Sequence, residues 1–188
     1  EQADHLISGS WSKSAVQEAS RYVQANVVGE LVRTEESIQV SDVDSWQLNE
    51  SAAYFHYCPN ETVDGVEIND VPQVGSVPIV ADMSSNILSR PVDVNQFGVI
   101  YAGAQKNIGP SGLSVVIVRD DLLDRARSDV PSIFHYKTLA ENGSMFNTPP
   151  TFAWYLAGLV FEWLKEQGGV STMAAINQEK ADCLYNCI

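Results

Sequence analysis

The sequence is short of positive charge, of cysteine and of long apolar runs. Its 188 residues hold 11 Lys+Arg against 24 Asp+Glu, a formal net charge of −13. A field of that sign repels phosphate backbones and anionic bilayers, which argues against nucleic acid and membranes as partners. A local basic pocket for a small anion is still allowed. Three cysteines are too few for a disulfide framework, and their odd number points to reduced thiols in a cytosol. The longest apolar stretch, residues 152–161, falls well short of the roughly 20 residues that span a bilayer. There is no repeat, no low-complexity tract and no linker. No charged-then-apolar leader is visible, so the expected location is cytoplasmic. The chain opens on Glu1 and closes at Cys187-Ile188 inside an expected helix. Both ends therefore read as cuts in a longer polypeptide.

What is present is an ordinary globular composition, 45% hydrophobic and 19% charged, ample for one core. Residues 5–10 read as a short strand running into a turn, and further runs predict strands at 31–33, 52–57, 77–81, 98–104 and 113–118. Several are continuous rather than alternating, as strands covered on both faces are. Ser12 is the expected N-cap of a helix carrying Ala15, Val16, Ala19, Tyr22 and Val23 at helical spacing. A second helix over 152–165 is apolar on nearly all sides, which predicts burial or a subunit interface. Gly168-Gly169 ends it, and a more amphipathic helix runs from Val170. The expected fold is a three-layer α/β fold with a mostly parallel mixed sheet flanked by helices.

Ligands of such sheets sit beyond the carboxyl ends of the strands. Trp11, Thr62, Asp82 and Lys106 fall there. Four of the five lysines, Lys13, Lys137, Lys165 and Lys180, read as solvated surface. Lys106 alone follows a continuous apolar strand and precedes a Gly-Pro-Ser-Gly turn. A lysine at the edge of a core loses hydration, which frees its amine as a nucleophile; the plainer reading is an amine that snorkels outward. Asp82 ends a neighbouring strand. An amine and a carboxylate on one sheet rim match what pyridoxal phosphate needs: a lysine for the Schiff base and a carboxylate for the pyridine nitrogen. Taken singly, Asp82 is equally a turn residue, Trp11 a core filler and Thr62 uninformative.

Longer stretches narrow the reading. They are Gly9-Ser10-Trp11-Ser12, His56-Tyr57-Cys58-Pro59-Asn60-Glu61-Thr62, Ala81-Asp82-Met83-Ser84-Ser85 and Ser89-Arg90-Pro91-Val92-Asp93-Val94. Tyr101-Ala102-Gly103-Ala104-Gln105-Lys106-Asn107-Ile108-Gly109-Pro110 and Asn142-Gly143-Ser144-Met145-Phe146-Asn147-Thr148-Pro149-Pro150 follow. In this order the chain resembles the phosphoserine aminotransferases of the class V, fold-type I pyridoxal-phosphate enzymes, and most of all their bacterial members. The resemblance covers essentially residues 1–188, as a partial cofactor-binding large domain truncated at both ends.

The resemblance implies roles. Lys106 would be the Schiff-base lysine and Asp82 the partner of the pyridine nitrogen. Trp11 would stack on the ring, Thr62 would bond the ring oxygen and Gln105 would contact the phosphate. Asn147 and Thr148 would reach the cofactor phosphate of a neighbouring subunit, making a homodimer with a shared site. The implied reaction is reversible amino transfer between glutamate and 3-phosphohydroxypyruvate, in serine biosynthesis, with a related phosphorylated substrate in pyridoxal-phosphate biosynthesis. Family members are longer: a phosphate-binding helix start, a substrate arginine and a small domain are absent here. Arg21, Arg33, Arg90, Arg119, Arg125 and Arg127 match no family substrate position, so this chain alone is expected to be inactive. The alternatives are another class V enzyme, such as a serine–glyoxylate aminotransferase or a cysteine desulfurase, or a non-catalytic dimerisation module.

Other features carry less. Cys183 and Cys187 share a helix face without further metal ligands nearby. His56 reads as a satisfied core histidine, and Gly109-Pro110-Ser111-Gly112 as a turn rather than a P-loop.

Overall fold

A computed structural model describes residues 1–188. The elements are β1 (Gln2–Ile7), α1 (Ser10–Ala19), β2 (Gln24–Arg33), β3 (Ile38–Val40), β4 (Phe55–Tyr57), β5 (Asn60–Glu61) and β6 (Val66–Glu67). They continue with β7 (Ile79–Asp82), β8 (Val99–Gly103), β9 (Ser114–Val118), α2 (Tyr136–Glu141), α3 (Thr151–Glu166) and α4 (Gly169–Tyr185). Seven strands form one sheet in the order β3-β2-β1-β4-β7-β8-β9, and β5-β6 form a separate hairpin. The β1–β2, β1–β4, β4–β7 and β7–β8 pairs are parallel and β2–β3 is antiparallel. This is the mostly parallel mixed sheet flanked by helices that the apolar runs predict.

The chain divides into two compact units, residues 1–85 with 94–101, and residues 86–93 with 102–188. In the first, the strand interiors are closed to water: Ala3, Leu6, Phe55 and Ala81 have no exposed surface, and Ile100 has 1%. Trp46 stacks on Phe55 over β4. Because β1, β4 and β7 are parallel, their carboxyl ends share one edge. Gly9–Trp11, the β5–β6 hairpin and the turn after Asp82 all leave from it.

In the second unit, Ala102, Ala104, Ile108 and Ala157 form a buried cluster, with Ile87, Leu88, Leu113 and Val115 packed against it. Small residues let the turn after β8 approach α3 closely: a Cβ on Gly109 would lie 3.5 Å from the Ala157 Cα. Gly168 takes the left-handed conformation, φ 95°, and closes α3 as expected.

The structure corrects several expectations. Helix α1 begins at Ser10 with Gly9 as its N-cap, so Ser12 is the third residue of the helix and not its cap. The helix ends at Ala19, leaving Tyr22 outside it and 74% exposed. Strand β2 is ten residues long, and β3 and the hairpin had no counterpart among the predicted strands. Thr62 lies in the hairpin turn and not directly after β4. Only Ala153, Ala157 and Leu164 of α3 are buried, whereas Phe152, Tyr155 and Trp163 are exposed. Its near-uniform apolarity therefore does not mean burial within this chain.

Candidate active site

In the first unit, three of the expected site residues rest on one hydrogen-bonded frame. Trp11, 54% exposed, stands in the first turn of α1. Its backbone N–H donates to Glu61 Oε2 at 2.9 Å. The Ser12 N–H and hydroxyl donate to Glu61 Oε1 at 2.7 and 2.6 Å. Ser10 donates from N–H and hydroxyl to Asp64 Oδ2 at 2.7 and 2.9 Å. Arg33 pairs with the other Asp64 oxygen. The Ser10 N–H, reinforced by the Ser10 hydroxyl and Arg33, holds the Asp64 carboxyl below the usual carboxylate range. Thr62 is exposed in the turn between these two carboxylates.

The same hairpin reaches the turn after Asp82. Asn60 Nδ2 donates to the Ser85 hydroxyl at 2.8 Å, and that hydroxyl donates to the Asn60 carbonyl at 2.9 Å. Ser84 donates to Asp82 Oδ1 from its N–H at 3.0 Å and its hydroxyl at 2.6 Å. Oδ2 is left open for another donor. Asp82 pairs in register with Tyr101, whose hydroxyl lies 2.9 Å from His56 Nε2. Burial, with the adjacent His5, pushes His56 down to about 4 against the opposing pull of Asp82. The buried Cys58 thiol is pushed well above the thiol range, by burial first and then by Asp82 and Glu61. It is no nucleophile at neutral pH.

In the second unit, Lys106 sits at the crest of a tight turn. The Ala104 carbonyl accepts from Ile108 N–H at 3.2 Å and Gly109 N–H at 2.8 Å. Ala104 and Ile108 are buried, and Asn107 Nδ2 donates to the Ile87 carbonyl at 2.9 Å. Lys106 itself is exposed, as are Lys13, Lys137, Lys165 and Lys180. Burial therefore does not distinguish it, contrary to the expected loss of hydration; what distinguishes it is a rigid turn anchored in the core. The Gln105 side chain folds back over Gly103, where a Cβ would meet its Oε1 at 2.6 Å. Asn147 and Thr148 are exposed in the loop before α3.

The first unit thus presents an aromatic face, a hydroxyl and a half-occupied carboxylate at one sheet edge, and the second an exposed lysine on a fixed turn. The aminotransferase class-V family matches residues 3–188. The chain belongs to that family. Its similarity to particular class-V aminotransferases is close. It is 58% identical over 186 residues to the phosphoserine aminotransferase of Ectopseudomonas mendocina (strain ymp), covering 99% of this chain and 51% of that protein. The phosphoserine aminotransferase structure from Bacillus circulans subsp. alkalophilus superposes with a TM-score of 0.92 at 41% identity. That match covers 100% of this chain and 52% of the other. A PLP-bound phosphoserine aminotransferase from Trichomonas vaginalis gives 0.91 at 43% identity, over 100% of this chain and 53% of the other. The chain thus spans about half the length of these relatives.

Sequence reasoning missed Glu61, Asp64, Asn60 and Ser84, which hold the expected residues in place. One signal was available. Gly9 at the helix start has no side chain with which to cap, so the cap had to come from elsewhere.

Proposed function

We propose that this chain carries the cofactor site of a phosphoserine aminotransferase. Such an enzyme moves an amino group reversibly from glutamate to 3-phosphohydroxypyruvate, giving 2-oxoglutarate and O-phosphoserine. The carrying observation is the 58% identity to a phosphoserine aminotransferase over 99% of the chain. It favours this reading over a serine–glyoxylate aminotransferase, a desulfurase or a non-catalytic module. We place the reaction in serine biosynthesis, with a related phosphorylated substrate in pyridoxal-phosphate biosynthesis, in a cytoplasmic homodimer.

The residues fit pyridoxal phosphate on three observations. Ser84 occupies Asp82 Oδ1 alone, Trp11 is half exposed at the same edge, and Lys106 presents its amine from a pinned turn. When bound, the cofactor supplies an electron sink for the pair left on the substrate α-carbon. Lys106 Nζ would hold it covalently and, once the substrate amine has replaced it there, would take up and return the α-proton as a general acid–base. Asp82 Oδ2 would hold the proton on the ring nitrogen. Trp11 would cover one ring face, the Thr62 hydroxyl would donate to the ring oxygen, and Gln105 would contact the phosphate. Asn147 and Thr148 serve the phosphate in the partner subunit. We assign no arginine of this chain to the substrate's anionic groups, so the chain by itself is expected to show no turnover.

Adding pyridoxal phosphate to the purified protein should give a visible absorbance band. Borohydride should fix the cofactor, and peptide mapping should place it on Lys106. Lys106→Ala should show neither band nor label. An unchanged band in Lys106→Ala, or a label elsewhere, refutes the assignment.

A further inference from the structure

The start of α1 is an unusual place for an exposed functional side chain. Terminal turns fray, and a ring held only by a fraying turn is poorly placed. A helix start leaves four amides without intrahelical partners, and here each has one. Gly9 N–H donates to Ser12 Oγ at 3.0 Å and Ser10 N–H to Asp64. The Trp11 and Ser12 N–H groups donate to Glu61. Ser12 Oγ also accepts from Ser8 N–H at 2.9 Å and donates to Glu61 Oε1, so its capacity is filled. The Glu61 side chain has no exposed surface. Asp64 retains only 7% side-chain exposure.

Space has been kept for both carboxylates. A Cβ on Gly9 would lie 2.5 Å from Asp64 Oδ2 and 2.7 Å from Glu61 Cδ. Glu61 and Asp64 also bracket Thr62 in sequence, and Gly65 N–H closes the hairpin turn on the Glu61 carbonyl at 2.8 Å. A carboxylate that binds the Trp11 amide thus belongs to the residue next to Thr62.

We propose that Glu61, assisted by Asp64, is a positioning residue that locks Trp11 and Thr62 into one body at the cofactor edge. It touches neither cofactor nor substrate; it sets where two residues that do so are held. The proposal rests on the pyridoxal-phosphate reading given above. Charge-assisted bonds from buried donors are the strong kind, and an amide replacing the carboxylate must turn an NH2 toward either Trp11 N–H or Ser12.

The test compares Glu61→Gln with wild type in the purified protein. Hydrogen–deuterium exchange in the apo form should show faster exchange at the amides of residues 10–12. Pyridoxal phosphate, titrated by visible absorbance, should bind about 10-fold more weakly, equivalent to about 1.4 kcal/mol. Phe55→Leu, a core truncation in the same unit, serves as the stability control and should leave cofactor affinity unchanged. Wild-type affinity in Glu61→Gln overturns the proposal, as does an equal loss in Phe55→Leu. Should Glu61→Gln not fold, Ser12→Ala removes one donor while sparing the carboxylate, and wild-type affinity there overturns the proposal as well. A wild-type protein that takes up no pyridoxal phosphate overturns the cofactor reading and this inference with it. A wild type that binds beside a Glu61→Gln that binds equally well overturns this inference alone.

Discussion

Asp82 shows how one side chain is divided between fold and chemistry. Its Oδ1 is consumed by Ser84, which makes the carboxylate a rigid projection rather than a free rotor. Asparagine can keep the Ser84 bonds with its own Oδ1, while turning an NH2 donor outward where Oδ2 stood. In the full-length enzyme, Asp82→Asn should therefore fold and take up cofactor, yet lose turnover by about 100-fold or more, the scale of one misplaced electrostatic contact. Steady-state rates beside a cofactor titration check this, and near-normal turnover removes Asp82 from the mechanism. That Lys106, Asp82 and Trp11 stand at or just beyond strand ends was legible in the sequence, because strand ends are marked by the apolar runs before them. Glu61 was not: an acidic residue after Cys58-Pro59-Asn60 has the same appearance whether buried or solvated. Only the fold shows that its carboxylate is enclosed.

At the level of elements, the readable parts were those whose burial writes a pattern. The runs at 52–57 and 98–104 contain β4 and β8, and that at 77–81 all of β7 but Asp82; the inward residues of these strands are buried. Strand β3 and the β5–β6 hairpin have two or three residues each, too short for any period to show. Ser12 misled because serine usually caps from the N-cap position, whereas here its hydroxyl caps backward from inside the helix. The glycine it supports is intolerant of enlargement. Gly9→Ala would push a methyl against both carboxylates, and should destabilise the first unit by about 1–3 kcal/mol, the range for overpacking. Urea unfolding followed by circular dichroism checks the value. A stability unchanged from wild type would show that the hairpin gives way without cost.

For the molecule as a whole, the order β3-β2-β1-β4-β7-β8-β9 was beyond the sequence, since no local pattern says which strand lies beside which. That order brings His5 and His56 together in the core, with ring centroids 5.3 Å apart. Burial lowers both, His56 to about 4. An unfolded chain takes up these protons near 6.5. Between pH 6.5 and 4 the unfolded form therefore binds more protons, so stability is full above 6.5 and falls as the pH drops. For His56 the loss is on the order of 3 kcal/mol across that window. Urea midpoints at pH 7 and pH 5 should differ in that direction, and His56→Asn should flatten the difference. An equal slope in the variant would assign the acid sensitivity elsewhere.

The saturated start of α1 has a consequence for where negative ligands can settle. The amino end of a helix normally offers unpaired donors and a positive dipole, a natural cradle for a phosphoryl group. Here the protein's own side chains already fill that cradle. A phosphoryl group arriving at this rim would find no vacancy at the neighbouring helix and would have to be caught by groups from other segments. Anion recognition in this molecule is thereby separated from the element that presents the indole.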